Sequence, residues 1–193
     1  MKRFRASAFA IVLLLAAMRA HAVEPFGYDL HGQPIRQLAG PGVHFIVLFF
    51  AATDCPIANR YVPEIQRLTK KFATQGVHFW WVYPNAEDTA NPVADHNRDF
   101  AITGDSILDP HQSLVALAHA TVTPEAAVFR VQGSELREVY RGRIDDRYIS
   151  LGKERPQALH PDLELVLSSA LAGDPIPRPQ GRPVGCSIVF LQK

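Results

Sequence analysis

The chain has 193 residues, with 20 lysine and arginine residues against 19 aspartate and glutamate residues, and so a formal net charge of +1. This near balance, without a basic stripe, argues against nucleic acid as a partner. The length suffices for one domain with an adequate core, and the sequence shows neither an internal repeat nor a second domain.

The N-terminal segment has the order of a secretory signal peptide. MKRFR carries three positive charges and is followed by AFAIVLLLAAM, an apolar run of eleven residues. Ala20-His21-Ala22 then places small residues at the two positions that a signal peptidase recognises. We expect cleavage after Ala22, so the chain meets a membrane only through this segment; an uncleaved anchor and a buried N-terminal helix are the alternatives. The mature protein would be periplasmic or secreted, where disulfides form.

The next segments alternate between strand and helix patterns. Residues 25–38 predict a small hairpin. VHFIVLFFAA (43–52) is almost entirely apolar and rich in β-branched and aromatic residues, which is typical of a strand buried on both faces. Residues 55–76 predict an amphipathic helix with a proline in its first turn. VHFWWVY (77–83) predicts a second buried strand.

The second half of the chain adds three helices and three strands. Helix patterns cover residues 93–102, 111–120 and 162–173, and strand patterns cover 106–109, 125–131 and 135–142. The last two strands are separated by a short turn, which indicates an antiparallel hairpin. The order predicts an α/β fold with a mixed central sheet flanked by helices, an N-terminal hairpin and a C-terminal tail.

Three parts of the chain follow from these patterns. Residues 1–22 form the signal peptide, 23–173 the folded domain and 174–193 a tail rich in proline, glycine and arginine. The chain has two cysteines, Cys55 in the domain and Cys186 in the tail. Two cysteines in a domain of this size indicate one structural bridge, one redox pair or ligands, and not a disulfide scaffold.

Cys55 stands where the first buried strand ends and a helix begins. Unpaired backbone N–H groups and the helix dipole at such a position favour the thiolate, whereas the neighbouring Asp54 opposes a second negative charge. A moderately activated thiol is one interpretation. A buried, inert cysteine in a strand-to-helix turn is the other.

Residues 51–65, AATDCPIANRYVPEI, resemble the active-site segment of thioredoxin-like redoxins, a group that includes the exported reductases of the thioredoxin superfamily and the alkyl hydroperoxide reductase/thiol-specific antioxidant proteins. The matching residues are Ala52-Thr53, Cys55, Pro56 and Pro63-Glu64-Ile65. Residues 120–125, Ala-Thr-Val-Thr-Pro-Glu, resemble the cis-proline loop that packs against the active-site cysteine of these proteins. The resemblance covers about residues 25–172.

This resemblance implies a thioredoxin-like fold and an exported, thiol-dependent oxidoreductase with antioxidant activity and no organic cofactor. Cys55 would attack a disulfide or a peroxide, while Thr53 and Pro124 would shape the pocket. A thiol reductant, a protein disulfide and a peroxide are the partners implied. Ala58 stands at the position of the usual second cysteine, and the peroxidase pattern of proline and threonine before the cysteine is absent.

Cys186 is the other thiol, and residues 174–185 are long enough to span up to roughly 40 Å when extended. The following GCSIVF is apolar, which favours its burial against the domain. We therefore predict that the tail brings Cys186 to Cys55 as a resolving thiol. A static bridge, which would contribute roughly 4–5 kcal/mol by closing so long a loop, and an unrelated cysteine are the alternatives.

Two functions from other classes stay open. In the first, Cu(I) is bound by Cys55, Cys186 and one of His96, His111 and His119, as in copper chaperones of the Sco type. Those histidines are otherwise expected at the surface or at helix ends, with no metal. In the second, the protein is a non-catalytic binding domain with a structural Cys55–Cys186 disulfide.

The remaining charged residues are expected at the surface. Residues 141–148, RGRIDDRY, predict a solvated loop with local ion pairs; the alternative is that Arg141 or Arg143 faces the cysteine and steadies a thiolate or a peroxide. Asp95 and Asp99 are expected on the solvent face of a short helix.

Overall fold

The computed structural model describes residues 24–178 and 180–191, so the predicted signal peptide over residues 1–22 lies outside the described residues. Four helices follow in chain order: α1 Pro56–Phe72, α2 Ala90–Asp99, α3 Ser113–Ala118 and α4 Asp162–Ala172. The strands are β1 Gly27–Tyr28, β2 Pro34–Ile35, β3 Phe45–Phe50, β4 Val77–Tyr83, β5 Asp105–Leu108, β6 Val122–Thr123, β7 Glu125–Gln132, β8 Glu135–Gly142, β9 Tyr148–Ser150, β10 Lys153–Glu154 and β11 Cys186–Ser187. Within the described ranges, no helix has the length and apolar character needed to cross a bilayer.

Seven strands form one mixed sheet in the order β2-β1-β5-β4-β3-β7-β8. β3 pairs in parallel with β4, and β4 in parallel with β5, whereas β7 and β8 add an antiparallel hairpin on the other side of β3. Parallel neighbours require crossover connections, and α1 and α2 supply them. The predicted α/β fold is confirmed, including the N-terminal hairpin of β1 and β2.

The central strand β3 separates two hydrophobic cores, because successive side chains of a strand point to opposite faces. All six of its residues are buried. Phe45, Val47 and Phe49 face the core formed with α1 and α4, while Ile46, Leu48 and Phe50 face the core formed with α3. The near-continuous apolar run predicted this burial on both faces.

Helix α1 begins directly after Cys55, whose side chain caps it, with Pro56 in the first turn. Its buried face consists of Ala58, Tyr61, Val62, Ile65, Leu68 and Phe72. A short 3-10 turn over Ala73–Gln75 follows, and Gly76 ends it in the left-handed conformation at φ 75°. A side chain at this position would also strike the carbonyl oxygen of Gly42, 2.8 Å from an added Cβ.

Two short pairings were not predicted from the sequence. They are the small sheet of β9 and β10 and the two-stranded sheet of β6 and β11. The prediction of a solvated loop over 141–148 is wrong for its centre, because Ile144, Asp145 and Asp146 are buried. Hydrogen bonds compensate the burial of both carboxylates. Asp145 accepts from the Tyr61 hydroxyl, and Asp146 accepts from the main-chain N–H groups of Leu159 and His160.

Candidate active site

Cys55 lies at the carboxyl end of β3, where the chain turns into α1, and its side chain is fully buried. Its thiol donates a hydrogen bond to the carbonyl oxygen of Thr123 at 3.0 Å, and it accepts one from the N–H of Ala58 at 3.5 Å. The second contact is the cap of α1, so the sulfur faces the positive end of the helix dipole. The Thr123–Pro124 peptide bond beside it is cis.

The C-terminal segment brings the other thiol to the same place. β11 pairs antiparallel with β6, and this register sets Cys186 opposite Thr123. The N–H of Ile188 donates to the carbonyl oxygen of Thr121 at 3.1 Å, and the Ile188 side chain is buried. We call residues 183–191 the docked tail. Both cysteines are free thiols, and Cys186 is partly exposed.

Gly185 permits the close approach of the docked tail to the cis-proline loop. A Cβ added at this residue would lie 2.1 Å from the carbonyl oxygen of Thr123 and 2.9 Å from the nitrogen of Pro124. Real Cβ atoms essentially never come so near to backbone atoms. The tail can therefore occupy this position only with glycine directly before the cysteine.

The two thiols influence one another electrostatically. Burial, a side-chain hydrogen bond with Cys55 and the negative charges of Cys55 and Asp54 together raise the pKa of the Cys186 thiol to about 12. Cys186 is therefore protonated at neutral pH.

Thr53 is held by two hydrogen bonds to one carboxylate. The side chain of Asp88 accepts a hydrogen bond from the Thr53 hydroxyl at 2.6 Å and another from the Thr53 N–H at 3.0 Å. The side-chain nitrogen of Asn85 donates to the second carboxylate oxygen of Asp88 at 3.3 Å. Burial raises the pKa of Asp88, and the hydrogen bonds from Thr53 oppose that rise. The predicted pocket residue thus fixes the chain two residues before the cysteine.

A chain of buried polar side chains continues from this point. Asn59 donates to the carbonyl oxygen of Thr53 at 3.3 Å, and its own side-chain oxygen lies 2.8 Å from His96 Nε2. The other ring nitrogen of His96 lies 3.1 Å from the hydroxyl of Tyr83. His96 is in the last turn of α2, as expected of a helix-end histidine, but it is buried and not at the surface. Burial lowers the pKa of its ring.

The two arginines considered as partners of the cysteine are engaged elsewhere. Arg141 donates to the carbonyl oxygen of His119 at 2.7 Å and lies 3.7 Å from the carboxylate of Glu125. Arg143 pairs with Asp162. The buried Glu125 in turn accepts the N–H of Thr121 at 2.8 Å, which steadies the cis-proline loop. The alternative that Arg141 or Arg143 steadies a peroxide at Cys55 has no contact that supports it among the described residues.

Sequence reasoning missed Asp88, Asn59 and Gln112. Gln112 donates from its side-chain nitrogen to the carbonyl oxygen of Val189 at 2.7 Å and accepts the N–H of Leu191 at 3.0 Å. Only its polarity beside an otherwise apolar helix pattern could have drawn attention to it. Asp88 lies in a polar loop whose sequence contains nothing that distinguishes it from its acidic neighbour Glu87.

Over residues 24–178 and 180–191, no group of three or more histidine, cysteine or carboxylate side chains is placed to hold a metal ion. Asp95 and Asp99 lie exposed, and Arg98 pairs with both, as predicted for a solvent face.

The profile of the AhpC/TSA family matches residues 20–140, more than half of the chain. This chain belongs to the AhpC/TSA family. The resemblance drawn from the cysteine segment and the cis-proline loop is thereby confirmed, and the match takes in Cys55, Thr53, Asp88 and Pro124 but ends before Cys186.

Solved structures share the fold of this AhpC/TSA protein. An uncharacterized conserved protein from Geobacillus kaustophilus is 23% identical with a TM-score of 0.70, over 88% of this chain and 90% of that one. A hypothetical protein from Sinorhizobium meliloti is 22% identical with a TM-score of 0.70, over 84% and 88%. A secreted Mycobacterium tuberculosis disulfide oxidoreductase homologous to Escherichia coli DsbE is 16% identical with a TM-score of 0.50, over 78% and 96%. A comparison with curated proteins gave no match.

Proposed function

We propose that this AhpC/TSA protein is an exported thiol-dependent oxidoreductase that reduces disulfides through Cys55, with Cys186 as the resolving thiol. One observation carries the proposal: Thr123 accepts the hydrogen bond of Cys55 through its carbonyl oxygen and pairs with Cys186 in the β6–β11 ladder. Two thiols that are far apart in sequence are thus held around one residue of the cis-proline loop.

The exchange proceeds in two steps. The Cys55 thiolate attacks one sulfur of a substrate disulfide, the S–S bond breaks, and the departing sulfur takes up a proton as a free thiol. Cys186 then loses its proton and attacks the Cys55 sulfur, which frees the second substrate thiol and leaves a Cys55–Cys186 disulfide. Two electrons pass to the substrate, and an outside thiol reductant restores both thiols.

The environment of Cys186 suits the second role. Its high pKa arises first from burial and then from its hydrogen bond with Cys55 and from negative charge on Cys55 and Asp54. A mixed disulfide at Cys55 removes the charge and the hydrogen bond of that residue. The pKa of Cys186 then falls, although burial, its largest cause, is retained, so the resolving thiol becomes more reactive after the first step.

The surroundings of Cys55 favour a disulfide over a peroxide as the substrate. The Thr53 hydroxyl donates to Asp88, Arg141 is bonded to a main-chain carbonyl, and Arg143 pairs with Asp162. Stabilising a peroxide oxygen requires donors directed at the sulfur. The main chain of the cis-proline loop, by contrast, already accepts an extended segment that carries a thiol.

Export is the second part of the proposal. The charged start, the apolar run and the Ala-x-Ala site of residues 1–22 support a cleaved signal peptide. Protein recovered from the periplasm of an expression host should begin at Val23 by intact mass. Recovery of the uncut chain with the membranes would overturn this part.

The redox state of the two cysteines tests the central claim. The purified protein is equilibrated in glutathione buffers of stepped potential, trapped with an alkylating mass tag and weighed intact. We expect a Cys55–Cys186 disulfide that opens and closes reversibly. A disulfide that stays closed at every potential would be structural and would overturn the redox role. Two free thiols throughout would overturn the pairing of Cys55 with Cys186.

Trapping separates the roles of the cysteines. Cys186→Ser should accumulate a mixed disulfide between Cys55 and a small disulfide substrate, since the second step is blocked, and Cys55→Ser should form none. Hydrogen peroxide serves as the competing oxidant in the same assay. Faster oxidation of Cys55 by peroxide than by any disulfide would contradict the assignment of substrate.

A further inference from the structure

The docked tail continues past Cys186 into a groove that the exchange chemistry itself does not require. The groove is formed by the main chain of β6, by an apolar pocket around Ile188 and by the side chain of Gln112. Each of these parts contacts a different portion of the tail.

The main-chain contacts bind an extended segment whatever its sequence. β11 forms a short antiparallel ladder with β6, and the Ile188 N–H extends this ladder to the carbonyl oxygen of Thr121 at 3.1 Å. Addition of a strand to an exposed edge is a general mode of peptide recognition, in which main-chain hydrogen bonds give affinity and side-chain pockets give specificity.

Two positions of the groove select side chains. Directly before the cysteine, only glycine fits, because a Cβ at Gly185 would lie 2.1 Å from the Thr123 carbonyl oxygen. Two residues after the cysteine, Ile188 is 2% exposed and belongs to the core cluster that includes Leu114 and Val115 of α3. Ser187, Val189 and Phe190 are exposed and therefore unselected.

Gln112 extends the groove beyond the isoleucine pocket. Gln112 is 8% exposed, and both ends of its carboxamide bind the main chain of the tail, the nitrogen at Val189 and the oxygen at Leu191. The nitrogen has a second, longer contact with the carbonyl oxygen of Pro84 at 3.3 Å, whereas the oxygen has its contact in the tail. A buried amide that loses such partners pays the cost of desolvation without compensation. The groove is therefore built to be filled by a main chain in the extended conformation.

While the tail is docked, a substrate disulfide has no access to Cys55. The Cys55 side chain is 0% exposed, and the tail lies over the loop that contacts its sulfur. Most described residues of the linker between α4 and the docked tail are exposed, although Ile176 packs against the core, so few linker contacts oppose release of the tail. What enters in its place meets the same glycine position, apolar pocket and carboxamide.

We propose that the groove is the substrate site for an extended polypeptide segment with glycine directly before its cysteine and an aliphatic residue two positions after it, and that the tail is an internal occupant displaced by this substrate. This inference rests on the proposed function, since the substrate's cysteine disulfide must exchange with Cys55. After the first exchange the tail returns, displaces the substrate main chain and places Cys186 for resolution.

Peptide probes test the proposal on the full exported chain carrying Cys186→Ser and Ile188→Asp, which blocks resolution and releases the tail. Each probe carries its cysteine as a disulfide with thionitrobenzoate, whose release is followed by absorbance. The probes are Pro-Val-Gly-Cys-Ser-Ile-Val, the same peptide with alanine for glycine, the same peptide with aspartate for isoleucine, and cysteamine as a small control.

We expect the first peptide to react at least about tenfold faster than either altered peptide, in line with the discrimination that one apolar pocket provides. Adding Gln112→Ala should raise the half-saturating concentration of the first peptide, because the groove then loses its contacts with the peptide main chain. With Cys186→Ser alone, the retained tail should slow the first peptide, because it competes at high effective concentration.

Equal rates for the three peptides would overturn the proposal that the groove selects the substrate, while leaving the proposed function intact. Failure of every probe, cysteamine included, to reach Cys55 would instead overturn the proposed function. Folding is checked by circular dichroism. If Ile188→Asp does not fold, Gly185→Ala replaces it, because it releases the tail through a backbone clash and leaves the pocket unaltered.

Discussion

The chain around Cys55 and the chain around Cys186 are held in place by different means. The cysteine corner, residues 52–59, is fixed by side chains that come from distant parts of the fold: Asp88 binds Thr53, and His96 lies against Asn59. The docked tail is fixed mainly through its own main chain, on β6 and on Gln112, with Ile188 as its one buried side chain.

In terms of the two proposals, this difference separates a rigid reaction centre from a removable cover. Networks of buried side chains that satisfy one another resist rearrangement, since each broken contact leaves a polar group unpaired. A short strand on the edge of a loop has fewer such contacts to break, which here are the β6 ladder, the Ile188 pocket and Gln112. In the proposed mechanism the nucleophile belongs to the rigid part and its partner thiol to the separable part, and the same strand position would control access and resolution.

The strongest test of the rigid part is Asp88→Ala. It leaves the Thr53 hydroxyl and N–H without their acceptor in a partly buried site, so we expect the free energy of unfolding to fall by about 3 kcal/mol. Chemical denaturation measures it. Asp95→Ala is the control on the exposed face of α2 and should change stability by no more than about 0.5 kcal/mol. A similar loss in both variants would show that the network does not fix the corner.

Gly185→Ala tests the separable part. The added Cβ cannot coexist with the Thr123 carbonyl oxygen, so the tail undocks and Cys55 becomes accessible. We expect alkylation of Cys55 to accelerate at least about tenfold, which corresponds to a shift of about 1.4 kcal/mol in the docking equilibrium, with little change in the unfolding of the domain.

Gly40→Ala is the matched control, because a Cβ at Gly40 meets no atom within 4 Å. If Gly185→Ala instead lowered domain stability as strongly as Asp88→Ala, the tail would be an integral part of the core and the comparison would fail.

The pH dependence of stability gives a smaller effect on the rigid side. Burial lowers the folded-state pKa of His96, so below the unfolded value of about 6.5 the unfolded chain binds a proton that the folded chain does not. Stability contributed by neutral His96 is therefore complete above that pH and is lost as pH falls. Relative to His96→Gln, the wild-type protein should lose stability progressively below pH 6.5 in denaturation experiments. A difference independent of pH would contradict this account.

The smallest effect concerns the coupling between the two parts. Cys55→Ser removes a charge and a hydrogen bond that raise the pKa of Cys186, although burial, the largest cause, is retained. The pH at which Cys186 becomes half reactive toward an alkylating agent should fall. Asp54→Asn removes only the last of the contributing charges and should lower it less. No change in either variant would mean that the pKa of Cys186 does not depend on Cys55 or on Asp54.

Local patterns in the sequence predicted the elements that a continuous run of residues determines. The apolar run of β3, the spacing of α1 and the proline after Thr123 each predict a feature that the structure contains. The residues that hold the site together could not be found in this way. Asp88 and His96 matter because the fold sets them beside residues 53 and 59, and their local sequence resembles any polar segment.

The docked tail was predictable only in part. Its apolar residues predicted that it packs against the domain, and the length of the linker predicted that it reaches Cys55. The register that sets Cys186 opposite Thr123 depends on the shape of the cis-proline loop. The requirement for glycine at residue 185 follows from a contact between main-chain atoms. No pattern of hydrophobicity or charge encodes such a contact.

The pairing of Cys186 with Thr123 also has a consequence for the order of folding. Four strands, the whole of α4 and a long linker lie between the two paired segments. Contacts of such separation form late, because the loop between them must first be closed. The central strand and α1 are neighbours in sequence and can assemble early. In refolding experiments we expect Trp81 in the core to lose its solvent exposure before Cys55 gains protection from alkylation. A newly made molecule would therefore pass through a stage in which its domain is folded and its nucleophile is still uncovered.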